Sequence, residues 1–227
     1  MSVAIIDYGS GNLRSAEKAA VRCLRDSGSE RLVQVTSCPQ EVARADHIIL
    51  PGVGAFGDCI RGLRALDGMV DCLEQAVIKQ GRPFLGICVG MQLMATVGHE
   101  HGTHAGLDWI KGDIEPLVIP EGQNLKVPHM GWNQLNIASA HRAHPALRGI
   151  QDGDHVYFVH GYHFLARDPA QVMMTSDYGP VDYGPVDHGP VISAMIGRDN
   201  MIGTQFHPEK SQQVGLRLLA NFLEWRP

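Results

Sequence analysis

The chain has 227 residues, 44% of them hydrophobic and 19% charged, with a formal net charge of -5. That length and apolar content suit one α/β domain, or at most two small ones, with a sizeable core. The mildly acidic balance excludes a general electrostatic pull on nucleic acid or anionic membranes, so any anionic ligand must be met by a local site.

Along the chain, VAIID is a short strand-type run that ends in the turn YGSGN. The spacing of Leu13, Ala16, Ala20 and Leu24 predicts a helix that stops near Gly28. Strands follow at Leu32–Thr36 and at HIIL, the latter running into the glycine-rich turn Pro51-Gly52-Val53-Gly54. Helices are expected over Asp58–Leu66 and Met69–Lys79, a strand over Pro83–Ile87 leading into Cys88, and a helix from Gly90 to about Val97. This alternation argues for a mostly parallel central sheet covered by helices on both faces. The second half changes character. Asp113–Val118, Trp132–Ile137, Val156–His160, Val172–Thr175, Val191–Ile196 and Met201–Gln205 read as short strands of an antiparallel extension. Val214, Leu218, Phe222 and Trp225 then recur at helical spacing. No linker divides the chain, so residues 1–227 are expected to form a single domain.

The five cysteines are Cys23, Cys38, Cys59, Cys72 and Cys88. They are odd in number and include no Cys-x-x-Cys pair, which sets aside a disulfide framework or a zinc ribbon and points to free thiols in a reducing cytoplasm. The start MSVAIIDYGSGN has no secretory pattern, and no stretch approaches a membrane span. A five-residue unit recurs as Tyr178-Gly-Pro-Val-Asp, Tyr183-Gly-Pro-Val-Asp and His188-Gly-Pro-Val. Proline every fifth residue forbids a central strand there, so the repeat reads as a tandem duplication in a surface loop or, alternatively, as a lid or partner-contact element.

Three segments carry chemistry. Gly86-Ile87-Cys88-Val89-Gly90 fits Gly-x-nucleophile-x-Gly at a strand-to-helix junction. A nucleophile on so sharp a turn needs glycine two residues to either side, because bulkier neighbours would collide with the strand and the helix. The helix N-terminus beyond it favours a thiolate. The competing reading is a buried structural cysteine. In Gln205-Phe206-His207-Pro208-Glu209-Lys210-Ser211, His207 and Glu209 are two apart and face the same way on an extended backbone, so the carboxylate can orient the imidazole toward a thiol. The competing reading is a loop histidine beside a surface glutamate. The loop Pro51-Gly52-Val53-Gly54-Ala55-Phe56 would sit beside the cysteine turn at the carboxyl ends of the strands, where the N–H groups of Val53 and Val89 could stabilise an oxyanion. His99-Glu100-His101 with His104 lacks a regular ligand spacing and reads as a solvated loop rather than a metal site. Gly9-x-Gly11 fails as a dinucleotide turn because Arg14 stands where the third glycine belongs.

GICVGMQLM, FHPEKS, PGVGAF, DYGSGN, KVPHMGWN and YFVHGYHF together resemble the class I glutamine amidotransferases. Within that class, DYGSGN, PHMGWN and HPEKS are similar to the glutaminase subunits of imidazole glycerol phosphate synthases. The resemblance implies a glutaminase with Cys88 as nucleophile, His207 as general acid/base and Glu209 as its orienting partner. It further implies Val53 and Val89 as the oxyanion hole, Gly52, Gly54 and Gln92 as glutamine-binding residues, and Asn12, Trp132 and Lys210 near the partner interface. The implied partner is a cyclase subunit with a (β/α)₈ barrel in a heterodimer, with no cofactor or metal, no nucleic acid and no membrane. YFVHGYHF carries Gly161 and His163 where the family usually has serine and tyrosine. The alternatives are a glutaminase feeding a different synthase and a non-catalytic binding module on the same fold.

Overall fold

The computed structural model describes residues 2–179 and 190–227, so most of the repeat lies outside the described residues. The apolar opening forms β1 (Ser2–Ile6), with Val3 to Ile6 buried. Then α1 (Leu13–Asp26) buries Ala16, Ala19, Ala20, Cys23 and Leu24, the face its spacing predicts. Next come β2 (Leu32–Thr36), a short α2 (Pro39–Arg44) with proline in its first turn, and β3 (His47–Gly52). After α3 (Phe56–Ala65) the expected helix over Met69–Lys79 splits. It is α-helical in α4 (Met69–Leu73) and π-helical over Glu74–Lys79, where the Gln80 N–H reaches back to the Gln75 carbonyl.

β4 (Phe84–Cys88) leads directly into α5 (Val89–Gln92). The helix expected to continue to Val97 stops after one turn. The carbonyls of Leu93, Met94, Ala95 and Thr96 accept from the N–H groups of residues 106–110, so a returning loop takes the bonds that a longer helix would use. Two short strands, β5 (Val97–Gly98) and β6 (His104–Ala105), and then β7 (Gly112–Pro116) follow. The single strand expected over Trp132–Ile137 is in fact two: β8 (His129–Gln134) and β9 (Asn136–Ile137) belong to different sheets. The remaining strands are β10 (His155–His160), β11 (Tyr162–Ala166), β12 (Val172–Asp177), β13 (Val191–Arg198) and β14 (Met201–Thr204). The last helix, α6 (Gln212–Glu224), ends one residue before Trp225, which is buried all the same.

The main sheet has the order β2-β1-β3-β4-β14-β13-β12-β9. From β2 to β14 neighbouring strands are parallel, and from β14 to β9 they are antiparallel. Every residue of β3, β4 and β14 is buried, as strands covered on both faces must be. Two smaller sheets, β10-β8 and β11-β7-β5-β6, complete the architecture, and one hydrophobic cluster runs from Val3 to Trp225.

Candidate active site

The register of three parallel strands builds the site. Gly52, the last residue of β3, pairs with Cys88, the last residue of β4, and Thr204 at the end of β14 pairs with Ile87. The loop after β3, the turn after β4 and the segment after β14 therefore leave the sheet side by side at its carboxyl edge, where open α/β sheets place their ligands.

Cys88 has φ 53° and ψ -111°, a conformation that non-glycine residues rarely adopt and that costs about 1–3 kcal/mol. The flanking glycines make this turn possible. A Cβ on Gly90 would lie 1.8 Å from the Leu50 carbonyl oxygen, and one on Gly86 would lie 2.6 Å from the Gly90 oxygen. The helix that follows Cys88, α5, is only one turn long. The sulfur is approached by the side-chain amide of Gln205 at 3.6 Å and by the Val159 carbonyl at 3.9 Å.

His207 continues the extended path beyond β14, and Pro208–Lys210 forms a 3₁₀ turn rather than the extended backbone expected from sequence. The turn brings the Glu209 carboxylate back to His207, with Oε1 2.8 Å from Nδ1 and both side chains almost wholly buried. The main chain of His207 is fixed as well. Its N–H donates to the Tyr157 carbonyl, and its carbonyl accepts from Ser211 Oγ at 2.7 Å. Nε2 is buried and has no hydrogen-bond partner among the described residues, but Cys88 is close enough to act on the ring. Burial alone would lower the imidazole pKa, and the Cys88 sulfur and the Glu209 carboxylate overcome this and raise it to about 10. His207 is therefore a proton holder beside a thiol.

A cavity of about 240 Å³ opens at this point. Its wall includes Cys88, His207, Val53, Gly54, Val89 and Gln92. Gly52 is not on that wall. It packs behind it, where a Cβ would lie 2.6 Å from the Tyr8 hydroxyl and 2.7 Å from the Gly90 nitrogen. Gly54 has φ 96°, which only glycine adopts freely. Val89 opens α5, so its N–H has no intrahelical acceptor. The Val53 N–H is differently placed, donating to Ser10 Oγ at 3.1 Å, while that hydroxyl donates to the Val53 carbonyl at 2.5 Å. Gln92 spends both amide hydrogens inside the protein, on the Tyr162 carbonyl at 3.0 Å and on Gln205 Oε1 at 3.1 Å. Its Oε1 is left as the acceptor for a ligand.

Asn12 caps α1 through its backbone and is not on the cavity wall. Trp132 is half exposed and packs edge-on against Tyr157, and Lys210 Nζ lies 5.8 Å from the same ring. Glu100 corrects the reading of its segment as a merely solvated loop: it accepts the Phe56 N–H at 2.7 Å and lines the cavity. Sequence reasoning also passed over Ser10, Ser211, Gln205 and His160. All four stand inside quoted motifs, but as residues to which no role was given.

The family model for "Glutamine amidotransferase class-I" matches residues 4–225. The chain belongs to the class I glutamine amidotransferases. Among curated members, the imidazole glycerol phosphate synthase subunits HisH of Rhodospirillum rubrum and Ruegeria pomeroyi are 53% and 54% identical to it, each over the whole of both chains. Solved structures share the amidotransferase fold at low identity. A crystal structure of a glutamine amidotransferase has a TM-score of 0.66 at 17% identity, covering 98% of this chain and 97% of that one. The glutaminase domain of Trypanosoma brucei CTPS, with bound acivicin, has a TM-score of 0.62 at 12% identity, covering all of this chain and 95% of that one. As a class I amidotransferase the chain is a glutamine-hydrolysing enzyme.

Proposed function

We propose that this amidotransferase is the glutaminase subunit of an imidazole glycerol phosphate synthase, releasing ammonia from glutamine for a cyclase subunit in histidine biosynthesis. The observation that carries the reading is the full-length identity to two HisH subunits together with the buried His207–Glu209 pair beside Cys88. In this reading the Cys88 thiol gives its proton to His207, and the sulfur attacks the side-chain amide carbon of glutamine. A C–S bond forms, and the carbonyl oxygen becomes an oxyanion that the Val89 N–H can meet. His207 returns the proton to the amide nitrogen as the C–N bond breaks, and ammonia leaves. Water, deprotonated by His207, then cleaves the thioester, and glutamate departs. Glu209 keeps its charge throughout and stabilises the imidazolium. Val53 joins the oxyanion hole only after its peptide leaves Ser10.

Glutamine is held by Gly54 and by Oε1 of Gln92. The partner is a (β/α)₈ cyclase subunit, and the two chains form a cytoplasmic heterodimer through a face that includes Asn12, Trp132 and Lys210. No helix among the described residues is long and apolar enough to cross a membrane. The test is glutamate release by the purified chain, with and without a cognate cyclase subunit and its ribulotide ligand. Strong stimulation by partner plus ligand is expected, whereas equal rates in all conditions would point to a glutaminase serving another synthase.

A further inference from the structure

A side-chain amide beside a nucleophile can present either its N–H or its carbonyl, and here a fixed backbone acceptor decides which. The Tyr162 carbonyl can only accept. The Gln92 atom 3.0 Å from it is therefore the nitrogen. That nitrogen also lies 3.1 Å from a terminal atom of Gln205, which must then be the oxygen. The other terminal atom of Gln205, 3.6 Å from Cys88 Sγ, is in consequence an N–H donor. Gln205 is completely buried, and its backbone N–H is tied to the Ala194 carbonyl of β13.

The same carbonyl orders a second branch. His160 Nδ1 lies 2.9 Å from the Tyr162 oxygen and must carry a proton. His160 Nε2 lies 3.0 Å from His129 Nδ1, and His129 Nε2 lies 3.5 Å from Asn133 Nδ2. The Asn133 amide also donates to the Asp177 carbonyl at 2.8 Å, which fixes its nitrogen as well. With both rings neutral every contact pairs a donor with an acceptor: Asn133 to His129, His129 to His160, His160 to Tyr162. Protonating either ring would set two N–H groups against each other. Burial works in the same direction, holding His129 at about 4 and His160 at about 3, with His163 and His207 as further facing groups that disfavour charge on His160.

We infer that Gln205 is a positioning residue for the nucleophile, donating an N–H to the Cys88 sulfur, and that the Tyr162 carbonyl, Gln92 and the neutral His129–His160 pair hold it in that orientation. A donor to sulfur stabilises the thiolate more than the thiol, because hydrogen bonds to a charged partner are the stronger ones.

The inference rests on Cys88 being the reactive thiol of the proposed glutaminase, but it is tested without turnover. The probe is iodoacetamide, with adduct formation on Cys88 followed by peptide mass spectrometry between pH 6 and 10. Gln205→Met keeps the length of the side chain and removes the donor. It is expected to alkylate about tenfold more slowly than the native chain at pH 7 and to reach the native rate near pH 10. A profile that overlays the native one would overturn the inference. Should Gln205→Met fail to fold, the native chain gives the answer by itself. The Gln205 side-chain amide resonance must move when Cys88 is alkylated, and a resonance that stays in place would equally overturn it. Failure of the glutaminase reading shows elsewhere, as absence of glutamate release by the native chain with its partner.

Discussion

Glu209 Oε1 lies 2.8 Å from His207 Nδ1, with both side chains shut away from solvent. The second carboxylate oxygen has no hydrogen-bond partner among the described residues, so the charge of Glu209 is directed almost wholly at the imidazole. Glu209→Gln preserves shape and removes that charge. We expect kcat for glutamine hydrolysis to fall about 10²- to 10⁴-fold with little change in KM, since the lost stabilisation belongs to a proton-transfer step. Steady-state glutamate release checks this, and a variant of native activity would remove Glu209 from the mechanism.

Ser10 Oγ ties Val53 on both sides, accepting from its N–H and donating to its carbonyl. Ser10→Ala leaves Cys59 Sγ, 3.3 Å from the same carbonyl, as the remaining side-chain anchor. The expected outcome is a higher kcat for the isolated chain, with a gain below the 10²- to 10³-fold worth of one oxyanion donor. An unchanged or lower basal rate would show that the hydroxyl does not restrain this peptide.

The backbone of Cys88 sits where only glycine is comfortable. Cys88→Gly and Cys88→Ala should both abolish glutamine hydrolysis and leave ammonia-dependent turnover by the complex. They should differ in stability. The glycine variant is expected to be more stable than the alanine variant by about 1–2 kcal/mol, or about 2–8 °C in Tm for a chain of this size. Equal melting temperatures would mean that the turn relaxes when the sulfur is gone.

His160 is buried neutral, with its pKa lowered from 6.5 to about 3 by burial and by His129. Between those values the unfolded chain binds a proton that the native chain does not, so stability rises with pH across the window and is lost as pH falls through it. His160→Phe removes this contribution. Its Tm should change less between pH 5 and pH 7.5 than the native Tm does, although the variant is the less stable one at pH 7.5. Parallel Tm profiles would place the acid sensitivity elsewhere.

How much of this could be read from the residues alone depended on how local each signal was. The cysteine turn was legible because steric necessity is written into Gly86 and Gly90, and His207–Glu209 because the partners are two residues apart. The shape of that second element was not: Pro208 starts a 3₁₀ turn, and the carboxylate comes back along it. What escaped depends on register. Gln205 meets Cys88 only because β14 pairs with β4, and Ser10 meets Val53 only because β1 lies beside β3. The short α5 escaped for a similar reason, since the carbonyls that end it are taken by residues 106–110, and no pattern within 89–97 announces that loop. Trp132–Ile137 reads as one short strand, yet the chain changes sheets at Leu135, whose N–H turns to the Asp154 carbonyl, and the paired polar residues Asn133 and Gln134 mark the break in alternation.

The two ends of the repeat are joined at a neck. The Tyr178 N–H donates to the Pro190 carbonyl at 3.0 Å, the Tyr178 ring stacks on His129 with 3.9 Å between centroids, and its hydroxyl donates to the Lys126 carbonyl. Closing a longer segment through such a neck is cheap, each doubling of its length costing only about 0.6 kcal/mol of closure entropy. Residues added or removed beyond this neck therefore destabilise the fold little, yet the segment begins on a ring stacked against His129, the partner of His160.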